Sequence, residues 1–545
     1  MEKRLLLAAG LSLGILLLWE WVSPKPGKRP EVPVSPTPAA ALAAGTPAAL
    51  PAALPAPVSA PAAPQAPETA DAETLTTLSN KVFQATFSNR GAVLTSFVLI
   101  GHMDADRKPL ELMRKFPDGL PRPLALDFPG DPEATKRADA ALFVVERESD
   151  AAVRFRWAQG GLAITKEIRI NDGYLYDVKI TVTGPPFSLL AGPGLRNPTD
   201  RERKSSYVMP ASAVAATTDG LKLVAPGKAA SQAWTIPARG FAGIQDNYFL
   251  EVLVPRAPAT ARIYTFSVPQ PEGKPSVELA VGLEGRATLE CSAFFGPKDV
   301  SILESYGLGL ERTVDFGWYG IVAKPLLWML KKTYAYMGNW GLAILIVTFI
   351  IRLALFPLTA KSYTSMKKMQ KLAPKMNMIR DKYKKAKTDA AQRQKMNAEL
   401  MALYQTEGYN PMSGCLPILL QLPILVAFYN VLSRSIELRH APFVLWIKDL
   451  SAVDGSYVLV ILMIVSMYAQ QAMTPSTLDP TQKKVFMFLP IVWGFFLKDM
   501  PSGLVLYWLF SNLLTIVQQL VMNRIVKDDA PPPGKGAKAL KQARA

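Results

Sequence analysis

The chain has 545 residues, with 61 Lys and Arg against 44 Asp and Glu and a net charge of +17. Its mean hydropathy is slightly positive, at +0.14, which is typical of a membrane protein with several domains, some of them soluble. Two histidines without a Cys/His cluster argue against a zinc site, and no phosphate-binding loop, GxSxG or HExxH motif occurs. Cys291 lies in a soluble segment and Cys415 in an apolar one, which predicts no disulfide. We therefore expect no enzyme activity, no metal and no cofactor.

The N-terminal region is interpreted as a transmembrane anchor, residues 1–22, followed by a Pro/Ala-rich linker, residues 23–74. A cleaved signal peptide is the alternative, but the small residues at 39–44 lie too far from the apolar run 5–19 for a usual cleavage site. Residues 31–70 contain 10 Pro and 15 Ala and no Lys or Arg, a composition that predicts an extended tether. On either interpretation, the segment that comes after the linker is exported.

Residues 75–314 contain many short runs in which apolar and polar residues alternate. The runs at 153–157 and 174–182 are the clearest examples. Such period-2 patterns predict half-buried antiparallel strands, and their number predicts one large β-sandwich. We interpret residues 315–339, which are apolar, aromatic and basic, as an amphipathic helix in the membrane interface with Lys324 and Lys331 on one face. The alternative is an ordinary core helix of the β-domain.

Five further apolar segments predict a transmembrane core over residues 340–525. The predicted spans are 341–358, 411–432, 457–473, 485–498 and 502–522. Most have the length that a hydrocarbon core of about 30 Å requires. The segment 485–498 is short and requires a thinner bilayer or help from flanking residues. Together with the N-terminal anchor, these segments predict six transmembrane helices.

The distribution of charge predicts the orientation of the spans. Residues 361–406 hold 12 Lys and Arg against three acids, and the tail 526–545 is also basic, whereas the loop 433–455 holds three of each sign. Cytoplasmic loops are the basic ones, so we expect both termini and 361–406 in the cytoplasm and the β-domain in the periplasm of a Gram-negative inner membrane. A nucleic-acid role for the basic cluster, for example in binding ribosomal RNA, is the weaker alternative.

Arg352 is the most informative residue of the predicted spans, because it lies roughly 13 Å from the cytoplasmic end of its helix. A charge at this depth costs on the order of 3 kcal/mol, so the side chain is expected to face water or a partner. The alternative is an arginine that extends to the cytoplasmic surface. Thr348 and Thr359 extend Arg352 into a polar stripe along the helix.

The last span carries a second polar stripe. It consists of Trp508, Asn512, Thr515 and Gln519, flanked by Tyr507, Ser511 and Gln518, and the span 457–473 adds Ser466, Gln470 and Gln471. Small polar groups can simply hold helices together. Two such stripes, with an arginine and with no Asp or Glu inside the last five spans, predict instead a hydrated, electropositive cavity.

The basic segment 361–406 is predicted to be a helical hairpin with its turn at 384–389. Apolar residues recur at helical spacing in both arms, namely Met366, Met369, Met376, Ile379 and Tyr383 in the first and Met396, Leu400 and Leu403 in the second. A simple two-helix coiled coil accounts for this pattern. Methionine also suits adaptable contacts with varied partners.

These segments together resemble the YidC family of membrane protein insertases. The resemblance is carried by NWGLAILIVTFIIRLALFPLT, GYNPMSGCLPILLQLPILVAFYNVL, ELRHAPFVLWIKDLSA and MPSGLVLYWLFSNLLTIVQQ. It covers about 315–525 closely and the anchor and β-domain more loosely, as in the Gram-negative members. Lys498 and Asp499, at the outer end of the predicted span 485–498, stand where the family has apolar residues. This departure affects only the predicted boundary of that span. The family's β-domain resembles sugar-binding supersandwiches, but no paired histidines support sugar chemistry here.

The resemblance implies a positively charged groove, open to the cytoplasm and to lipid. It implies that Arg352, Thr348, Tyr507 and Trp508 line this groove and contact the client, and that the hairpin receives clients. The implied partners are nascent membrane proteins, the Sec translocon, the ribosome, the targeting machinery and membrane lipids, with no small-molecule substrate. An anion transporter or channel using Arg352 is the main alternative, although no internal repeat supports it. A membrane-anchored carbohydrate enzyme would leave five spans unexplained.

Overall fold

A computed structural model describes most of the chain from residue 67 to residue 525. The described residues are 67–104, 107–116, 119–196, 210–228, 232–269, 275–383, 389–407, 416–474 and 480–525. The predicted anchor at 1–22, most of the predicted linker and the basic tail at 526–545 lie outside them.

The first part is a β-domain of three antiparallel sheets. Its strands are β1 Leu75–Ser79, β2 Phe83–Ser88, β3 Val93–Met103, β4 Pro109–Glu111, β5 Leu126–Asp127, β6 Val144–Ser149, β7 Ala152–Gln159, β8 Leu162–Ile170, β9 Leu175–Thr183, β10 Phe187–Ala191, β11 Ser212–Thr217, β12 Gly220–Val224, β13 Ala233–Ile236, β14 Ala242–Gln245, β15 Phe249–Pro255, β16 Ala259–Val268, β17 Ser276–Gly285 and β18 Thr288–Pro297. The strand orders are β1-β2-β3-β4, β13-β16-β17-β10-β5 and β12-β11-β14-β15-β18-β9-β8-β7-β6. The helix α1, Pro132–Ala140, connects β5 to β6.

The alternating sequence pattern produces this architecture. In β9, Tyr176, Val178 and Ile180 are buried while the residues between them are more exposed, so one face of the nine-stranded sheet lies in the core. The smaller sheets cover that face, and Phe97 of β3 stacks on Phe295 of β18 with 4.7 Å between ring centroids. The antiparallel strands expected at 153–157 and 174–182 are thus present as β7 and β9. Cys291 is buried and unpaired within this core, and Cys415 lies outside the described residues.

The second part is helical. Its helices are α2 Val300–Ser305, α3 Gly320–Met337, α4 Trp340–Lys382, α5 Ala390–Thr406, α6 Leu416–Arg434, α7 Val458–Met473, α8 Pro480–Leu497 and α9 Ser502–Ile525. Of the described helices, α4 and α9 are long and apolar enough to cross a membrane, and shorter apolar stretches occur at Val458–Met473 and Val485–Leu497. The β-rich domain and the helical membrane part agree with the predicted fold class. The count of six spans stays a prediction.

The helix α4 is continuous where the sequence suggested a span and a separate hairpin arm. Its 43 residues include Pro357 near the predicted boundary, and at 1.5 Å per residue they extend about 64 Å, roughly twice the apolar thickness of a bilayer. The far end of α4 is joined to α5 by ion pairs, since Lys375 Nζ lies 2.6 Å from Glu407 Oε1 and Lys382 Nζ lies 3.0 Å from Glu399 Oε2. Most of the predicted turn, 384–388, lies outside the described residues.

The amphipathic helix α3 joins the two parts. Its inner side buries Leu326 and Leu330, whereas Ile321 and Tyr336 on its outer side are 86% and 85% exposed; its position in the membrane interface stays a prediction. Lys331 does not share this outer surface, because its Nζ is 3.2 Å from Asp299 Oδ1 and also pairs with Glu437.

The end of α6 and the loop after it also contact the β-domain. Asn247 Nδ2 donates to Ser433 O over 3.1 Å, and Arg439 Nη1 donates to Met103 O over 3.1 Å. Asn247 and Ser433 are both buried, so the hydrogen bond between them is shielded from water. These contacts fix the β-domain at the end of the helical part where α4 begins.

Candidate functional site

The centre of the site is a contact between α4 and α9. Arg352 is half-buried, and its Nε donates to Ser511 Oγ over 3.0 Å, while its Nη2 donates to the same oxygen. Throughout the described part of the chain, no carboxylate forms an ion pair with Arg352. The guanidinium therefore keeps its full charge against a neutral hydroxyl group.

Polar contacts continue from Arg352 along the two helices, the first about two turns further on and the next about one turn beyond that. Gln518 Nε2 donates to Thr359 Oγ1 over 2.5 Å, and Tyr363 Oη donates to Asn523 Oδ1 over 2.9 Å. Residue numbers rise together on both helices, so α4 and α9 run parallel here. We call this line of contacts, Arg352–Ser511, Thr359–Gln518 and Tyr363–Asn523, the α4–α9 seam.

Other polar residues of α9 face a different neighbour. Asn512 Nδ2 donates to Ser466 Oγ on α7 over 3.1 Å, and Gln519 Nε2 donates to Thr474 Oγ1 over 2.9 Å. Asn512 and Gln519 are each 5% exposed. These two residues hold α9 to α7 rather than facing Arg352, which is the simple packing role that small polar groups often have in membranes.

The remaining predicted residues of α7 and α9 have more local surroundings. Thr515 donates to Ser511 O of its own helix over 2.9 Å. Gln470 and Gln471 are half-buried, and their carbonyl groups accept from the N–H of Thr474 at the end of α7. The structure thus divides the predicted stripe between two helix contacts.

Tyr507 and Trp508 lie one to two turns before the centre of α9. Tyr507 is 2% exposed, and its ring stacks on Phe428 of α6 with 4.0 Å between centroids. Gln421, also on α6, donates to the Tyr507 hydroxyl. Gln421 was not among the predicted site residues, although a polar residue in the middle of an apolar run is a usable signal. Trp508 is half-buried beside Trp493, at 5.4 Å between centroids.

Thr348 differs from Arg352, although both belong to the predicted stripe on α4. It is 1% exposed, and its Oγ1 donates to Ile344 O of its own helix over 2.6 Å. The stripe therefore begins in a packed region and reaches accessible surface only at Arg352. A client contact at Thr348 stays a prediction.

The methionines of α4 and α5 also differ in exposure. Met376 is 2% exposed, and Tyr404 Oη of α5 lies 3.8 Å from its sulfur. Met366, Met369 and Met396 are half-buried. Met378 and Met401, which were not among the predicted site residues, are 66% and 51% exposed, so they are the most accessible methionines of this pair of helices.

Comparison with known proteins gives the family of the chain. Residues 332–529 match the family "60Kd inner membrane protein", and residues 75–329 match the "YidC periplasmic domain" family. A "Membrane protein insertase YidC" of Syntrophus aciditrophicus is 34% identical over 559 residues, with 96% of this chain and 100% of the relative covered. One from Geobacter metallireducens is 35% identical, with 96% and 99% covered, and one from Geobacter sulfurreducens is 48% identical over 54% of this chain and 55% of the relative.

The chain is also similar to a solved structure described as "Active YidC insertase crystal structure with the first transmembrane domain resolved". The identity is 18%, the TM-score is 0.36, and 83% of this chain and 93% of that chain are covered. The family assignment rests on the sequence matches alone. The chain belongs to the YidC family of membrane protein insertases: it is an inner-membrane protein that inserts other proteins into the membrane, and it has a periplasmic β-domain.

Proposed function

We propose that the α4–α9 seam around Arg352 receives the polar tail of a client protein during insertion. The observation that carries the proposal is the state of Arg352, which is half-buried and bonded to the neutral Ser511 hydroxyl. A charge in apolar surroundings is costly, and a hydroxyl group does not neutralise it. The guanidinium therefore remains available to attract the acidic residues of a client tail.

The insertion mechanism depends on this charge and its surroundings. A polar tail enters a hydrated groove around Arg352, where the apolar path that it must cross is shorter than the full bilayer. The membrane potential favours the movement of acidic tails toward the positive outer side. The apolar helix of the client leaves sideways into lipid, and burial of its apolar surface supplies the driving free energy. No covalent step is required.

Accessible apolar surface beside Arg352 supports a lateral exit. Leu353, the next residue on α4, is 62% exposed, and Phe349 one turn earlier is 50% exposed. On α9, Leu513 and Val517 are 45% and 55% exposed. A client helix that leaves the seam therefore meets apolar, lipid-compatible side chains on α4 and on α9.

We further propose that α5 and the far half of α4 form a cytoplasmic hairpin that first contacts clients, with Met378 and Met401 added to the methionines selected from the sequence. Methionine side chains adapt to varied apolar segments, and the lysines of this region suit the ribosome surface. We assign six spans with both termini in the cytoplasm, and the Sec translocon, the ribosome and the targeting machinery as partners.

A photocrosslinking experiment tests the seam as the client site. A crosslinking residue replaces Trp508, and in a matched control it replaces Ile461, which is 56% exposed on α7. During translation of a short membrane protein, we expect crosslinks from position 508 and few from position 461. Equal yields at both positions would argue against a defined client path. Ion flux through protein-containing liposomes would favour the anion-transport alternative.

A further inference from the structure

The loop between α6 and α7 is fixed against the first turn of α4. A Cβ placed on Gly341 would lie 1.9 Å from Phe443 Cδ2, so the Phe443 ring fills the space that the glycine leaves free. Asn339 Nδ2, at the start of α4, donates to Phe443 O over 3.2 Å. Phe443 N in turn donates to Ile447 O over 3.0 Å, which closes the loop into a tight turn. The loop therefore lies where α4 enters the membrane from the side of the β-domain.

This fixed loop displays apolar side chains instead of burying them. Val444, Leu445 and Trp446 are 46%, 83% and 40% exposed. Leu445 also has a φ of 55°, a strained conformation for a side chain with a Cβ. Tyr336 at the end of α3 is 85% exposed and adds a second aromatic ring near the same helix start. Exposed tryptophan and tyrosine side chains near the end of a transmembrane helix are typical of the interface between membrane and water.

A crevice of about 650 Å³ lies between this loop and the β-domain. It is lined by Arg107, from the connection between β3 and β4, and by Lys448, Pro442, Phe443, Val444, Leu445 and Ile447 of the loop. Among the residues that the structure describes, the lining thus combines two cations with apolar side chains and contains no carboxylate. The hydrogen bond from Arg439 to Met103 O holds the β3–β4 connection close to the loop.

Two nearby acidic residues with described positions, Asp449 and Asp104, are engaged by other groups. Asp449 Oδ2 lies 2.7 Å from His440 Nδ1, and its Oδ1 accepts from Ser451. Asp104 Oδ1 accepts from the N–H of Lys108. Considering only residues with described positions, neither Arg107 nor Lys448 has an ion-pair partner. Two cations that face one crevice without an ion pair to any described carboxylate favour an anionic ligand.

We propose that this crevice binds the headgroup phosphate of an anionic phospholipid, of the phosphatidylglycerol class, from the periplasmic leaflet. Arg107 and Lys448 contact the phosphate, and the acyl chains lie along Leu445 and Trp446. The charges alone would suit a free phosphate ion. The exposed apolar side chains of the loop, Val444, Leu445 and Trp446, lie where α4 enters the membrane. They favour a ligand that carries hydrocarbon next to its phosphate. The bound lipid would anchor the β-domain and the loop to the same point of the membrane surface.

Fluorescence quenching by brominated lipids tests the proposal on the full-length protein in neutral detergent. Subtracting the signal of Trp446→Phe isolates the contribution of Trp446. Each cation near a membrane surface favours anionic lipid by about fivefold, so two predict a preference of about 25-fold for phosphatidylglycerol over phosphatidylcholine. Arg107→Ala combined with Lys448→Ala should abolish this preference. As a control, Lys81→Ala combined with Arg286→Ala removes the same amount of charge from exposed positions of the β-domain. This variant should retain the preference for phosphatidylglycerol.

Three results would overturn the proposal. Equal quenching of Trp446 by the two brominated lipids would remove headgroup recognition. Retention of the preference in the Arg107/Lys448 variant would assign it to other residues. Displacement of the lipid by an equal concentration of inorganic phosphate would identify a free-anion site. If circular dichroism finds the double variant unfolded, Arg107→Gln and Lys448→Gln are compared singly, and unchanged preference in both would equally refute the assignment.

Discussion

Arg352 and Ser511 join α4 and α9, the two described helices that are long and apolar enough to cross a membrane, with Arg352 Nε 3.0 Å from Ser511 Oγ. A hydroxyl partner satisfies donors of the guanidinium without removing its charge. This pairing orients the arginine along the α4–α9 seam and preserves its attraction for anions. The hydrogen bond to Ser511 also gives the arginine a partner inside the protein. The guanidinium therefore does not have to extend to the cytoplasmic surface to find a polar partner.

The first prediction concerns the charge of Arg352. Arg352→Ala should slow the insertion of a client with an acidic tail by about tenfold, since the lost interaction is Coulombic, and should affect a neutral-tailed client least. If a diffuse charge is sufficient, Arg352→Lys should insert both clients nearly as fast as the unchanged protein does. If a planar two-point contact is required, lysine should fail as well. An insertion assay in proteoliposomes with these variants and both clients separates the outcomes, and full activity of Arg352→Ala on both would refute the charge mechanism.

The second prediction separates packing residues from client-contacting residues on α9. Asn512 bonds to Ser466 of α7 and is buried, so Asn512→Ala should lower the free energy of unfolding by about 1 kcal/mol. The insertion rate per folded molecule should change little, with the same ratio between acidic and neutral tails. Thermal unfolding in detergent, measured beside the insertion assay, checks both parts. A loss of the acidic-tail preference in Asn512→Ala would show that this residue acts on the client.

The third prediction concerns topology. If loop charges set the orientation, a cysteine at position 388 should react with an impermeant thiol reagent only after the cytoplasmic side is opened. A cysteine replacing Gly455, which is exposed in the loop before α7, should react from the periplasmic side of intact cells. Reaction of both cysteines from one side would be incompatible with six spans.

The sequence predicted the helices and strands well because apolar periodicity determines which surface is buried. The alternation at 174–182 corresponds to β9, and the apolar run at 457–473 corresponds to α7, within one residue. Arg352 could be selected because a charge inside an apolar run has few structural explanations. The continuity of α4 was not predicted, since the span was ended at residue 358 and the hairpin was begun at residue 361, whereas one helix runs through both segments.

The sequence could not assign partners to adjacent polar residues. Ser511 and Asn512 differ by only about 100° around the helix, yet one faces α4 and the other faces α7. Which neighbour lies on which side depends on tertiary packing, and the periodicity of one helix does not contain that information. The same reason explains why the sequence, which placed Lys324 and Lys331 on one face of the helix, could not predict that Lys331 pairs with Asp299.

The fourth prediction concerns the stability of the β-domain and its dependence on pH. Glu251, in β15, is 4% exposed. Its Oε1 accepts from Gly192 N over 2.9 Å, while its Oε2 has no hydrogen-bond partner among the described residues. Burial raises the pKa of this carboxyl group to about 8. The folded domain therefore holds the Glu251 proton more tightly than the unfolded chain does.

The difference in proton affinity sets the sign of the effect. Between pH 4.5 and about 8 the folded state binds more protons at Glu251 than the unfolded state, so this group lowers stability as pH rises through that range. Glu251→Gln resembles the protonated acid and removes the effect. Its Tm should match that of the unchanged protein near pH 4.5 and exceed it by about 10 °C at pH 8. Differential scanning calorimetry of the full-length protein at several pH values measures the difference, and a constant offset between the two proteins would contradict the raised pKa.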